Sequence, residues 1–344
     1  MDLGSKHRVV MVPRRHVYIV NLRYHLAALN VDVRTLRPFH YSSAANLLRM
    51  IALRSMGYNI IHLHWLYVFP FKWIMDVFVR MARILGYKIV WEVHNMVSHT
   101  RKMKDYAIAR EFYRHCDAVI FHSVTDVTRS RDMLGEDLKP VHAVAYHPHF
   151  IGVYRNEITQ HEARDILRIP PGRKVLLCFG QIRANRDYGC LLSAVASLDD
   201  VSVVIAGEIK DKRVYRELLK HRENSDMILH AGWVSNDQVQ IYFNAADVVV
   251  LPYSEITTSG VIALAYSFSR PVIVSAIGGI GEVVNEKTGI LVRPGDEDEL
   301  RSAIKDIFEK DYVGMGMAAF QYARDQLMWE RTAETIRGIY DKLL

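Results

Sequence analysis

The chain has little cysteine, little proline and no long uncharged apolar run. Its 344 residues include three Cys, ten Pro and 19 Gly. Three thiols (Cys116, Cys178 and Cys190) cannot build a disulfide framework, so a reducing, cytoplasmic setting is expected. Cys178 and Cys190 stand too far apart for a C-x-x-C pair, and nothing completes a zinc set around them. The modest Gly and Pro content excludes collagen-like and low-complexity architectures. No segment reaches the roughly 18 apolar residues of a membrane span. The greasiest, residues 69–85, is broken by Lys72, Asp76, Arg80 and Arg83. Near the start, Lys6, Arg8, Arg14 and Arg15 flank an apolar run (residues 9–12) too short for a signal-peptide core.

What is present is a core-forming composition, 50 % apolar and 24 % charged. That excludes intrinsic disorder, and the length favours two domains. The charge is uneven. Residues 1–150 hold 21 Lys and Arg against 11 Asp and Glu, and residues 151–344 hold 23 against 27. A basic half beside a mildly acidic half points to an anionic partner for the first half. No nucleic-acid-binding module is recognisable, so an anionic membrane surface is the expected partner rather than nucleic acid.

Short β-branched runs alternate with helical periodicity twice along the chain. In the first half, strands are expected at 9–12, 31–36, 59–64, 88–93, 118–121 and 141–145, with helices between them. Residues 146–171 interrupt the pattern. It restarts with strands at 174–179, 201–206, 227–230, 247–251, 271–275 and 289–291. A helix is expected at 236–244, and the last 30 residues read as helix. Such alternation implies parallel β-α-β units. The expected fold class is α/β, two Rossmann-like doubly wound domains facing a cleft, with ligands beyond the carboxyl ends of the strands.

Four segments carry candidate chemistry. In Phe179-Gly180-Gln181-Ile182-Arg183-Ala184-Asn185-Arg186 a strand ends at a glycine and a loop brings two arginines before a helix. Glycine permits close backbone approach, and guanidinium groups suit phosphate; a solvated loop with two surface arginines fits the same pattern. Glu255-Ile256-Thr257-Thr258-Ser259-Gly260-Val261 opens another helix with hydroxyls and free amides, as an anion cradle or as a simple N-cap. Ile277-Gly278-Gly279-Ile280-Gly281 departs from G-x-G-x-x-G and reads as a tight turn. In the first half, Trp91-Glu92-Val93-His94-Asn95 places His94 at the carboxyl end of a strand, with Asn95 capping the next turn. His62 and His64 share one face of the preceding strand and read as structural, with no third metal ligand at recognisable spacing.

Taken in order, these pieces resemble the retaining family-4 glycosyltransferases of the GT-B fold. The resemblance runs over nearly the whole chain and is strongest from Lys88 to Gly295. It includes Lys88-Ile89-Val90-Trp91-Glu92-Val93-His94-Asn95, Gly232-Trp233-Val234, Ala246-Asp247-Val248-Val249-Val250-Leu251-Pro252-Tyr253 and Arg270-Pro271-Val272-Ile273-Val274-Ser275. It implies an acceptor-binding domain at 1–150, a nucleotide-sugar-binding domain at 151–320, and a helix at 321–344 returning to the first domain. It implies His94, Arg183 and Arg186 as catalytic residues, the arginines on the diphosphate and His94 on the transferred sugar. Gly180, Val234, Glu255, Thr258, Ser259, Gly260 and Val261 are the implied donor-binding residues.

The co-substrate would be a UDP- or GDP-sugar, with no cofactor and no metal. The acceptor would be a glycan or lipid-linked molecule in polysaccharide or glycolipid synthesis, reached from the cytoplasmic face of the membrane. One departure stands out. The family's Glu-x7-Glu positions hold Ile256 and Leu264, with Glu255 one residue early. A sugar-nucleotide epimerase of the same fold, or a non-catalytic nucleotide-sugar binder, is the alternative.

Overall fold

The computed structural model describes residues 7–14, 16–37, 43–69, 71–94, 103–134, 140–222 and 226–344. The chain divides into two compact units, Met1–Tyr146 with Trp329–Leu344, and His147–Met328.

The first unit alternates β1 (His7–Val12), α1 (Val17–Ala28), β2 (Val31–Thr35), α2 (Ser43–Ser55), β3 (Ile60–Leu63), α3 (Lys72–Ile84), β4 (Lys88–Val93), α4 (Met103–Arg114), β5 (Ala118–Phe121), α5 (Val124–Leu134) and β6 (Val141–Val144). Its sheet has the order β2-β1-β3-β4-β5-β6, every pair parallel. The strands are apolar on both sides because helices cover both faces. One face carries Ile61, Leu63, Ile89, Trp91, Val119 and Phe121 against Phe78 and Phe112. Truncating either phenylalanine to Ala would cost about 3–5 kcal/mol. The other face carries Met11, Ile60, Val90, Ala118 and Ile120 against Ile19 and Leu22 of α1 and Ile336 and Tyr340 near the C-terminus.

The second unit runs α6 (Gln160–Leu167), β7 (Lys174–Phe179), α7 (Tyr188–Val195), β8 (Val201–Gly207), α8 (Lys212–Arg222), β9 (Met227–Ala231), α9 (Val239–Ala245), β10 (Val248–Leu251), α10 (Gly260–Ser267), β11 (Val272–Ser275), β12 (Gly289–Val292), α11 (Glu297–Glu309) and α12 (Tyr312–Gln326). Its parallel sheet has the order β12-β11-β10-β7-β8-β9. Helix starts follow local chemistry. Thr159 and Glu162 close a capping box on α6, and Asp187, Asp296 and Asp311 each accept an amide of the helix they precede.

Two expectations from the periodicity need correction. The helix foreseen at 236–244 begins only at Val239, because Gln238 Oε1 accepts from the Ser235 amide and hydroxyl and ties 235–238 into a turn. The last 30 residues form two helices: α12 stays with the second unit, and α13 (Trp329–Leu343) belongs to the first. The break follows from anchoring on both sides. The Leu327 carbonyl accepts the His149 amide, while the Trp329 ring is buried against Tyr18 and stacks on His25 at 5.7 Å. The return to the first unit thus starts at Trp329, eight residues later than position 321. Asn95 lies outside the described residues.

Candidate active site

Three loops meet at the carboxyl ends of β7, β10 and β11. The loop after β7 and the loop after β10 are joined by an antiparallel bridge between Arg186 and Tyr253. Asp187 N donates to Pro252 O at 2.6 Å, Ser254 N to Asn185 O at 3.0 Å, and Asn185 Nδ2 to Glu255 O at 3.2 Å. The third loop closes on the second through Gly279 N and the Thr257 carbonyl at 2.8 Å. Gly278 has φ +58°, and a Cβ there would strike the Ile256 and Thr257 carbonyls, so the sequence needs glycine at this turn.

The two arginines of the first loop differ. Arg186 is buried, with Nη1 donating to the Phe179 carbonyl and the guanidinium 5.3 Å from the Tyr253 ring centre. Burial opposes its charge, but the Tyr253, Cys178 and Tyr188 side chains outweigh that, and Arg186 is held above the ordinary arginine range. It is therefore not the surface arginine of the solvated-loop reading. Arg183 is half-buried, burial and Arg186 lower its pKa, and its Nε has no hydrogen-bond partner among the described residues.

At the start of α10, Ser259 gives no side-chain cap to its own helix. Its hydroxyl pairs instead with Tyr253 Oη at 2.8 Å. Thr258, Ser259, Gly260 and Val261 are all half-buried. A helix start with uncapped amides favours an anion. Gly180, Arg186, Tyr253, Ser259 and Gly260 are thus linked by direct contact or chain continuity. Glu255 is half-buried beside them, while Leu264 faces the core, 5 % exposed. Val234 lies after β9, half-buried, next to Trp233, which is 72 % exposed.

His94 lies in the first unit, within a cluster the sequence reading did not assemble. Parallel register sets Leu63 against Trp91 and Val93 against Phe121. His62 and His64, Glu92 and His94, and His122 therefore fall on one face at the ends of β3, β4 and β5. Glu92 is fully buried. His64 Nδ1 lies 3.0 Å and His62 Nε2 3.2 Å from its Oε2, and Tyr18 donates its hydroxyl to Oε1. Burial opposes ionisation of Glu92, but His64, His62 and His94 overcome it and hold the carboxyl well below the usual range. Burial, helped by His62, pushes His64 down to about 4, so its ring is neutral at pH 7.

The His94 ring stacks on Trp65 at 4.3 Å and meets Tyr18 edge-on at 4.8 Å. His94 Nδ1 is 3.1 Å from His122 Nε2, and His94 Nε2 is 3.4 Å from His64 Nδ1. Two triplets, His62-His64-Glu92 and Glu92-His94-His122, have donor atoms within 4.8 Å of one another, a spacing that a metal ion also accepts. In the second triplet the His94–His122 hydrogen bond uses one nitrogen of each ring, whereas His62 Nε2 and Glu92 Oε2 of the first have no hydrogen-bond partner among the described residues. The signal available in sequence was that three successive apolar strands each end in histidine.

Residues 173–310 match the family model described as glycosyl transferases group 1. D-inositol 3-phosphate glycosyltransferase of Mycolicibacterium smegmatis is 26 % identical over 190 residues, covering 53 % of this chain and 43 % of that protein. The chain thus spans under half the length of the curated relatives it matches first. Among solved structures, sucrose-phosphate synthase from Thermosynechococcus elongatus superposes with a TM-score of 0.78 at 17 % identity, covering 98 % of this chain and 99 % of that one. Anabaena HepE in complex with UDP and glucose superposes with 0.76 at 14 % identity, covering 98 % and 100 %.

Proposed function

We propose that this two-domain protein of the GT-B fold, with its group 1 glycosyl transferase domain at residues 173–310, moves a sugar from a nucleoside-diphosphate donor to a glycan or lipid-linked acceptor. The observation that carries the reading is the joined loop set of the second unit. An α10 start with no side-chain cap and the buried Arg186 meet through Tyr253, and the half-buried Arg183 lies on the same loop as Arg186, where a diphosphate would be held. Cationic and amide donors fixed before the reaction stabilise a departing nucleoside diphosphate without reorganisation, the work a metal does elsewhere. Gly180 and Val234 would approach the nucleotide by backbone, and Thr258, Ser259, Gly260 and Val261 the phosphates. UDP bound to HepE and the inositol-phosphate acceptor in the curated relatives' name support a nucleotide donor and a phosphate-bearing or glycan acceptor. With Leu264 where the family has its second Glu, the ribose contact would come from elsewhere or be absent, Glu255 would serve the donor site only, and retention of configuration would rest on holding donor and acceptor on one face of the sugar.

The first unit would hold the acceptor, and we place it at an anionic membrane surface on the cytoplasmic side. No described helix is long and apolar enough to cross a membrane. Of the apolar residues of 69–85, Ile74 and Phe78 enter the core, while Phe71, Trp73, Val77 and Ile84 are exposed. They stand with Lys72, Arg80 and Arg83 on α3, and α2 packed beside it exposes Leu48, Ile51 and Arg49. Each basic residue near an anionic leaflet contributes about 1 kcal/mol.

The deciding experiment is a thermal-shift screen with UDP, GDP and ADP, followed by a donor-consumption assay with the matching sugar nucleotides. Stabilisation by one nucleotide with acceptor-dependent sugar transfer is expected. Stabilisation with no turnover on any donor would favour the non-catalytic binder, and interconversion of the donor's sugar would favour the epimerase.

A further inference from the structure

At the ends of β3 and β4, His62 Nε2, His64 Nε2 and Glu92 Oε2 are buried with no hydrogen bond among the described residues. The three side chains are fully shielded from solvent. Buried polar atoms are normally paired, so three orphans in one cluster call for a common partner. Glu92 Oε2 stands 3.2 Å from His62 Nε2 and 3.0 Å from His64 Nδ1, and neither nitrogen hydrogen-bonds to it. Ligand atoms around a tetrahedral zinc ion, each roughly 2.0–2.2 Å from the metal, are about 3.3–3.6 Å from one another. The two separations come close to that edge. The strands build the set: parallel register puts His62 beside Val90 and Leu63 beside Trp91. Alternation then turns His62, His64 and Glu92 to one face, with one donor atom of each within 4.8 Å of the others. The surrounding bonds leave those donors available. Tyr18 donates to the other carboxylate oxygen, Oε1. His62 Nδ1 lies 2.7 Å from Tyr340 Oη, and an Nδ1–H given to that hydroxyl frees the Nε2 lone pair for an ion. His64 Nδ1 also has a long contact, 3.4 Å, to His94 Nε2, which an ion would displace.

We propose that His62, His64 and Glu92 bind one zinc ion, a structural site that clamps the end of β3 to β4. Two imidazoles and a carboxylate are ligands that zinc takes, whereas calcium and magnesium want oxygen alone. The ion offsets the buried charge of Glu92 and gives Oε2 and His62 Nε2 the partner they lack. The triplet Glu92-His94-His122 is the poorer host, because the hydrogen bond between His94 Nδ1 and His122 Nε2 occupies one nitrogen of each ring. The site lies wholly within the first unit and stands independently of the glycosyltransferase reading. Its ligands are closed to solvent, so the ion enters as the chain folds.

The test needs no donor or acceptor. The full chain is unfolded in urea with EDTA, refolded at pH 7.5 with zinc chloride, with cobalt chloride or with neither, and desalted. The wild type refolded with zinc should keep one zinc per chain by elemental analysis. It should melt about 5 °C or more above the metal-free protein. The cobalt form should show the visible absorption of a four-coordinate nitrogen and oxygen site. His62→Gln and His64→Gln should each keep less than about a tenth of that zinc and lose the melting shift. His122→Ala, which alters only the second triplet, should keep all of it. A wild type that retains no zinc and melts alike with and without it overturns the proposal. So does zinc lost in His122→Ala but kept in His62→Gln, and so does equal retention by every variant, which would put the metal on surface histidines. If the His62 and His64 variants fail to fold, the wild-type zinc content, melting shift and cobalt spectrum decide the matter.

Discussion

Gly180 leaves out the atom that the Arg186 side chain would collide with: a Cβ on residue 180 would stand 2.5 Å from Arg186 Nη2. The glycine also holds φ +115°, which an L side chain rarely adopts. One residue type thus serves the turn and makes room for the buried guanidinium. Gly180→Ala should displace Arg186 and strain the turn, at about 1–3 kcal/mol. Urea titration should show the lost stability, and calorimetry a UDP affinity reduced at least tenfold. Wild-type affinity in a folded variant would detach this turn from donor binding.

Arg183 and Arg186 should separate experimentally. Arg186→Ala removes the donor to the half-buried Phe179 carbonyl and should lower stability by about 1–3 kcal/mol, along with donor affinity. Arg183→Ala should leave the melting temperature within about 2 °C and abolish measurable transfer, because its guanidinium is more exposed and makes fewer structural contacts. If Arg183→Ala retains near-normal UDP affinity and rate, the diphosphate contact belongs elsewhere.

Stability should fall on acidification before the carboxylates titrate. The His64 pKa is depressed by burial, from 6.5 to about 4, so below pH 6.5 the unfolded chain binds a proton that the folded chain refuses. The stability contributed by this neutral ring is complete above pH 6.5 and is lost as pH falls towards 4, by up to a few kcal/mol. Glu92, also depressed, adds a second loss in the lower carboxylate range and beneath it. Urea midpoints at pH 7.5, 6.0 and 5.0 should decline steadily. His64→Gln, less stable at neutral pH, should show the flatter curve, and equal slopes in the two proteins would contradict the assignment.

Trp73→Glu on α3 should reduce sedimentation with anionic vesicles about tenfold at low salt. It should leave the melting temperature nearly unchanged, because Trp73 is 62 % exposed. High salt should weaken the wild type in the same direction. Equal binding by both proteins would move the membrane-facing surface off this helix.

Much of the fold was legible because strand and helix signals are local. The apolar runs at 88–93, 118–121 and 174–179 coincide with β4, β5 and β7, and Gly260, opening a helix in sequence, opens α10. The loop after β7 was likewise visible, since glycine and two arginines between a strand and a helix are adjacent in the chain. Which arginine is buried was not legible, because Arg186 is placed by Tyr253, 67 residues away.

Sequence alone determined the parallel α/β alternation, the basic first half and the phosphate-suited loops, all set by neighbours within a few residues. Tertiary structure decided the company that His94 keeps. His62, Glu92 and His122 are spread over sixty residues, and only parallel register, which sets Leu63 beside Trp91 and Val93 beside Phe121, brings them to one buried face. It also decided that the final helix starts at Trp329, because burial against Tyr18 and stacking on His25 fix that ring in a way no local periodicity encodes.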